Sequence, residues 1–380
     1  MSKWILVPDS FKGTMSSQEI CAIMGEELLR RLPDAEIISV PVADGGEGSV
    51  DAFLSAVGGW RVETPCTGPD FRPLTAFYGV LAGRDTAVVE MAAAAGLPLM
   101  EGKLCAEGAT TYGVGELLLA AARNGAKRVI VGLGGSATND GGCGCAAALG
   151  VRFLDGAGAS FIPVGGTLNQ ICHIDTGSLS PLLKNVEIVT MCDIDNPLCG
   201  PEGASVVFGP QKGATPELVR ELDANLWHLA EVIRQDLGIE IAKLPGAGAA
   251  GGMGGGMVAF LGSRLQMGIE TVLDTVEFDR LLTGATAVLT GEGRIDGQSL
   301  RGKVVIGVAR RAARAAVPVL AVVGDIEPGA AAAYDLGVTA MFSTNRRAVP
   351  WTQAKQSARA DLRSVMADLA RFYAAMERRT

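Results

Sequence analysis

The sequence predicts an α/β protein with two α/β domains: a Rossmann-like parallel-sheet domain interrupted by a second, mixed α/β domain. Three observations support this. At 380 residues and 48% hydrophobic the chain can bury two large cores. Several stretches share one design, an apolar strand-like run that breaks into a glycine-rich loop carrying a carboxylate. The rhythm of alternating strand and helix patterns also stops twice along the chain and resumes.

The first unit is a strand from Trp4 to Val7, the loop PDSFKGT, and a helix opened by a capping box, Ser16-x-x-Glu19. Ile20, Ile23, Met24, Leu28 and Leu32 mark its apolar stripe. A strand from Ile37 to Val40 then runs into ADGGEG and a helix reaching about Val57. Between Trp60 and Leu104 the runs RVETPCT, LTAFYGVL and TAVVEMA alternate and turn like antiparallel hairpins. A helical pattern from Thr111 to Asn124 ends on Gly125, suited to the C′ position, and delivers a strand from Arg128 to Leu133. Residues 151–283 are irregular, with an amphipathic helix from Pro216 to Asp236. After Ala285 the rhythm returns: AVLTG, a helix from Val304 to Ala315, VPVLAVVGD, a short helix to Leu336 and VTAMF. A last helix carries Leu362, Val365, Met366, Leu369, Phe372, Tyr373 and Met376 on one side. The expected division is therefore 1–59, 108–150 and 284–380 in the discontinuous Rossmann-like domain, with 60–107 and 151–283 inserted. Ligand sites in such proteins are expected in the cleft between domains.

Composition excludes several classes. A net charge of −8 without a Lys/Arg run argues against a nucleic-acid surface. The eight cysteines are scattered, with no CxxC pair and no secretory leader, which fits reduced thiols in the cytoplasm. Cys143-Gly-Cys145 and Cys172-His173 lack the paired spacing of a zinc site. The uncharged stretch from Leu244 to Ser263 is as long as a membrane span, but eight of its residues are glycine. It reads as a ligand loop or a loop entering a close-packed helix, and the chain is expected to be soluble. The apolar face of the final helix serves a core or a homo-oligomer interface equally well.

Glycine-rich turns after strands let backbone N–H groups approach an anion, and adjacent carboxylates suit Mg²⁺ bridging to phosphate oxygens. Ser10 and Lys12 lie in the first such loop, where Lys12 can bind a carboxylate or phosphate at the carboxyl edge of the sheet. Asp44 stands among glycines, with a turn-forming role as the alternative. Gly134, Gly135 and Ser136 follow a buried strand and suit a phosphate grip. Asn139 and Asp140 next to them are weaker ligand candidates, since capping the Gly/Ala-rich helix that follows is the usual role of such residues. Asp193 and Asp195 follow an apolar strand, and Asp193 is the candidate base or metal ligand. Gly291, Glu292, Gly293, Arg294 and Asp296 form one loop whose charges suit nucleotide phosphate and its metal; a self-neutralising surface loop is the alternative. GQSLRGKV has P-loop spacing but Val304 in place of the Ser/Thr, so it reads as a helix N-terminus with cations. The dinucleotide fingerprint fails at Asp296, which disfavours a nicotinamide oxidoreductase. Only His173 and His228 are present, so a histidine-centred hydrolase is disfavoured, whereas phosphoryl transfer can run on a carboxylate.

In this order, PDSFKGT, PVADGGEGSVDA, MAAAAGLPL, TTYGVGELL, GLGGSATNDGGCGCAAALG, CDIDNPLCGPEGA, FGPQKGA, PGAGAAGGMGGG and LTGEGRIDGQSLRGK resemble the bacterial glycerate kinase family, whose members are described as glycerate 2-kinases. The resemblance runs from residue 3 to 375. It implies ATP-dependent, Mg²⁺-assisted phosphorylation of D-glycerate to 2-phosphoglycerate in glycerate, glyoxylate or glucarate catabolism. Within that frame, Ser10 and Lys12 are expected to hold the glycerate carboxylate or the transferring phosphoryl group, with Asn139, Asp140 and Lys212 as further substrate contacts. Catalysis is expected from Lys12, Asp44 and Asp193, and metal ligation from Asp193 and Asp296. Gly134, Gly135, Ser136, Gly291, Glu292, Gly293 and Arg294 are expected to cradle ATP. The alternatives are a kinase for another hydroxy acid, a 3-phosphoglycerate-forming enzyme, and a non-catalytic metabolite sensor.

Overall fold

Eleven strands form the two principal sheets in a computed structural model that describes residues 2–42, 45–83, 85–297 and 299–378. In chain order they are β1 (Lys3–Pro8), β2 (Glu36–Ser39), β3 (Gly59–Thr67), β4 (Pro73–Leu81), β5 (Thr86–Glu90) and β6 (Arg128–Gly132). There follow β7 (Glu187–Met191), β8 (Arg264–Gln266), β9 (Ala287–Gly291), β10 (Val319–Val323) and β11 (Ala340–Ser343). Both sheets belong to mixed α/β architecture.

The first sheet has the order β11-β10-β9-β1-β2 and is parallel throughout. Ile5, Leu6, Val7, Val288 and Leu289 are wholly buried, as expected of strands covered on both faces by helices. Trp4, Leu6, Ile20, Met24 and Leu28 pack with Leu362, Met366 and Ala370 of the final helix, Trp351–Glu377. Arg359 pairs with Glu19, and Arg363 with Glu26 and Glu27, along the same contact. Trp4 meets Tyr373 edge to face, with ring centroids 4.9 Å apart. The final helix thus spends Leu362, Val365 and Met366 on the core and leaves Phe372 and Met376 exposed. Ser16 caps its helix as expected, accepting the Glu19 N–H at 3.2 Å. The Glu19 carboxylate departs from the capping box and holds Arg359 instead.

The second sheet has the order β8-β7-β6-β5-β4-β3. β3, β4 and β5 are antiparallel, as the hairpin texture predicted, while β5, β6, β7 and β8 run parallel. The chain divides into a unit of residues 1–43, 55–57 and 269–380 and a unit of residues 44–54 and 58–268. This differs from the expected boundaries: segment 108–150 belongs with the second sheet. The reason is the βαβ connection. β5, the helix Tyr112–Arg123 and β6 form one crossover, with Val88 opposite Ile130 and Val89 opposite Val131, so a boundary at 107 would cut a single motif.

The glycine stretch resolves into turns and a helix, Met253–Leu261. A Cβ at Gly254 would lie 2.3 Å from the Gly246 carbonyl oxygen, and one at Gly256 2.2 Å from that of Gly141. Close packing therefore requires those glycines. Among the described residues, no helix is long and apolar enough to cross a membrane.

Met366→Ala, at a fully buried site, is expected to cost about 2–5 kcal/mol. Phe372→Ala, at a 68% exposed site on the same helix, should stay within about 0.5 kcal/mol. Urea unfolding of both variants tests whether the helix face serves the core.

Candidate active site

In the first unit, three loops leave the carboxyl ends of β1, β9 and β10 and lock onto one another. Open parallel α/β sheets bind ligands at this edge. The Asp9 N–H donates to the Gly291 carbonyl at 2.8 Å, while Gly324 N and Asp325 N donate to the carbonyls of Glu292 and Gly293 at 3.1 Å. The fit depends on missing side chains: a Cβ on Gly291 would lie 2.0 Å from Val322 O, and one on Gly324 2.3 Å from Gly293 O. The first loop closes on itself, with Phe11 N to Met15 O at 2.9 Å and Thr14 Oγ1 to Phe11 O at 2.8 Å. Phe11 is buried beneath it and Lys12 is exposed on it. The Ser10 N–H donates to Asp9 Oδ1 at 2.6 Å.

Glu292 is 7% exposed, and its Oε1 has no hydrogen-bond partner among the described residues. Burial pushes its carboxyl up to about 7; the Ser299 hydroxyl and Lys303 oppose that rise, and Asp9 and Asp296 add to it. Asp296 Oδ1 accepts the Ser299 N–H at 3.1 Å, and its Oδ2 is 3.7 Å from Arg294, which also reaches Glu327 at 3.3 Å. Arg294 is largely exposed, so these pairs contribute little to stability. Lys303 stands at the N-cap of the helix Val304–Arg314, which agrees with reading GQSLRGKV as a helix start.

In the second unit, the loop after β6 is held from several sides. Gly134 N donates to Gly45 O at 2.9 Å, Leu97 N to Gly135 O at 2.8 Å and Ala137 N to Ala95 O at 2.9 Å. Lys212 is 1% exposed, with Nζ 2.9 Å from Ser136 Oγ and 2.6 Å from Thr138 O. Burial lowers this amine to about 7 against the opposing pull of Asp140. Asp140 is wholly buried and accepts from Thr111 N and Oγ1 at 2.8 Å, Gly142 N at 3.1 Å and Gly144 N at 3.2 Å. These four donors pull its carboxyl down while burial pushes it up more strongly. Asn139 donates to Ser205 Oγ at 3.0 Å, and its Oδ1, like Thr138 Oγ1, is buried without a partner among the described residues.

The sequence-derived candidates thus fall into different situations. Ser10, Lys12, Gly291, Glu292, Gly293, Arg294 and Asp296 gather at one sheet edge of the first unit. Gly134, Gly135, Ser136, Asn139 and Lys212 gather in the second. Asp140 is occupied by protein donors, two of which, Gly142 N and Gly144 N, lie at the start of the helix Cys143–Ala148. Asp193 is half-buried after β7, and its Oδ1 accepts the Gly268 N–H at 2.7 Å at the start of the helix Gly268–Thr275. Asp44 lies outside the described residues.

Comparison with known proteins gives these loops their context. The sequence model of the glycerate kinase family matches residues 4–374. The chain belongs to the glycerate kinase family. It is 44% identical to a glycerate 2-kinase from Escherichia coli K12 over 90% of each chain, and 43% identical to a glycerate kinase from Bacillus subtilis 168 over 97% of each. A crystal structure provisionally named glycerate kinase 2, from Salmonella typhimurium LT2, superposes with a TM-score of 0.88 at 39% identity, covering 99% of both chains. The protein is accordingly a kinase with the fold of this family, and ATP is its implied co-substrate.

Sequence reasoning missed Glu90 in this kinase. It ends β5, is 2% exposed, and its Oε2 accepts the Val50 N–H at 3.0 Å in the first turn of the helix Ser49–Val57. The available signal was a single carboxylate closing the otherwise apolar run TAVVE.

Glu292 has a thermodynamic signature. Its folded-state pKa is raised from 4.5 to about 7, so the favourable protonated state is fully present below the unfolded value and is lost as pH rises through about 7. Glu292→Gln should therefore gain stability relative to wild type between pH 5 and pH 8. Thermal melts of both proteins at the two pH values check this; equal shifts at both would refute it.

Proposed function

We propose that this kinase transfers the γ-phosphoryl group of ATP to D-glycerate, forming 2-phosphoglycerate in the cytoplasm, within glycerate, glyoxylate or glucarate catabolism. The observation that carries the proposal is the arrangement at the edge of the first sheet. Glycine-locked loops, an exposed lysine and a buried carboxylate lie at the carboxyl ends of parallel strands, in a chain aligned over nine-tenths of a glycerate 2-kinase.

Lys12 and Ser10 hold anionic oxygens of glycerate or of the transferring phosphoryl group. The loop from Gly291 to Arg294 in the first unit and the loop from Gly134 to Ser136 in the second each offer backbone and side-chain donors suited to phosphate oxygens. As the C2 hydroxyl oxygen bonds to the γ-phosphorus, its proton passes to a carboxylate and the β,γ-bridging oxygen leaves with ADP. Asp44 and Asp193 are the carboxylates that take this proton or hold Mg²⁺.

Among the described residues, no three His, Cys, Asp or Glu side chains form a metal cage. Mg²⁺ asks for less, one or two carboxylates completed by water and phosphate oxygens. Asp193 fits that role, because the Gly268 N–H fixes its orientation through Oδ1. When bound, the ion would neutralise charge on the phosphate oxygens.

Incubation with D-glycerate and MgATP, followed by ³¹P spectroscopy, should show 2-phosphoglycerate. A 3-phosphoglycerate signal would overturn the regiochemistry, and no transfer would overturn the substrate. Asp193→Asn and Asp44→Asn should each lower kcat about 100-fold or more, the scale of a lost acid–base group. Near wild-type turnover in both would sink the carboxylate assignment.

A further inference from the structure

Lys212 reaches the Gly134–Ser136 loop from inside the protein. The side chain is 1% exposed, and among the described residues no carboxylate stands at ion-pair distance from it. Asp140, the charge that acts on it, is already satisfied by Thr111, Gly142 and Gly144. Its amine instead contacts two oxygens, Ser136 Oγ at 2.9 Å and Thr138 O at 2.6 Å.

Hydrogen bookkeeping gives this arrangement a direction. A lysine ammonium only donates, so Ser136 Oγ must accept from it and the serine's own O–H must point elsewhere. Among the described residues, no acceptor is recorded for that O–H. Ser136 follows Gly134 and the exposed Gly135, whose φ is +76°, in a loop pinned by Gly45 O, Ala95 O and Leu97 N. The hydroxyl therefore has a fixed oxygen position and a free direction of donation.

We propose that Lys212 is a positioning residue that turns the Ser136 hydroxyl outward, as a donor to an anionic phosphate oxygen of the nucleotide, without touching the ligand itself. This rests on reading the Gly134–Ser136 loop as part of the phosphate cradle. Its difference from direct charge neutralisation is sharp. A lysine acting on the ligand keeps its effect when Ser136 is removed, whereas a lysine acting through Ser136 loses it.

The proton state adds a second readout. Burial lowers Lys212 to about 7, with Asp140 the charge that opposes this. A neutral amine carries a lone pair that can accept from Ser136, which lets the hydroxyl turn inward. Nucleotide binding that depends on this contact should therefore weaken as pH rises through that range.

The test is a double-mutant cycle on the full chain, with Kd for β,γ-imido-ATP and Mg²⁺ measured calorimetrically. Ser136→Ala and Lys212→Met are each expected to weaken binding about tenfold, the scale of one hydrogen bond to a charged group. The double variant should lie within about twofold of the weaker single one, the non-additivity expected of residues in contact. Additive losses would overturn the proposal, as would an unchanged Kd in either single variant. A wild-type titration from pH 6.5 to 8.5, compared with Ser136→Ala, needs no change at Lys212 and so survives misfolding of Lys212→Met. Affinity lost at high pH in wild type but not in Ser136→Ala, after the nucleotide's own titration is subtracted, supports the proposal. Equal pH slopes overturn it. If wild type binds no nucleotide, the phosphate reading of the loop is wrong and the inference falls with it; if wild type binds and only the cycle is additive, the reading stands alone.

Discussion

Backbone must touch backbone at the carboxyl edges of both parallel arrays, and that steric condition governs the rest of the structure. At Gly291, Gly324, Gly132, Gly134 and Gly251 a single added carbon would fall between 2.0 and 2.5 Å from a neighbouring main-chain atom. Removing the side chain lets loops from different strands exchange N–H to carbonyl hydrogen bonds directly. The result is a rigid peptide surface with donors at fixed positions, which is what charge-stabilising sites require. At these five positions glycine excludes slack rather than permitting motion.

Charge is handled differently at each buried ionisable group. Glu27 is paired with Arg30 and Arg363, and Asp140 is enclosed by four protein donors, so both are structurally satisfied. Glu90 uses its carboxylate, from a neighbouring strand, to hold an N–H in the first turn of the helix Ser49–Val57. Glu292 and Lys212 lack an opposing charge in direct contact, and both are shifted toward neutrality as a result. Stability does not account for that choice, because a buried ionisable group without a counter-ion costs free energy. These are the two groups for which function is the better explanation.

Much of this was legible in the sequence. The strand from Trp4 to Val7, the Ser16 cap, Gly125 at its helix end and the hairpins of β3 to β5 all followed from local pattern, because each is decided within a few residues. The candidate loops were legible for the same reason, since glycine beside carboxylate after an apolar run is a local signal. Pairing was less accessible. The partition of 108–150 depends on which strand β6 lies beside, a long-range matter that β6's own apolar pattern leaves open. The burial of Lys212 was equally hidden: nothing near FGPQKGA distinguishes a lysine pointing inward from one pointing into solvent. Asp140 and Asp193 show the remaining ambiguity, in that capping and ligand binding recruit the same residue types at the same places.

The pairing of β1 with β9 has a consequence for biosynthesis. Trp4 lies beside Ala287, and Thr290 Oγ1 donates to Val7 O across a sequence separation of 283 residues. A ribosome releases the whole of residues 58–268 before β9 exists, so the second sheet can assemble during translation while the amino-terminal strand still lacks one of its two neighbours. During that interval the nascent chain carries an apolar, incompletely paired edge, the kind of surface on which chaperones act and aggregates nucleate. Synthesis rate and chaperone supply therefore bear on the yield of this kinase alongside the strength of the finished fold.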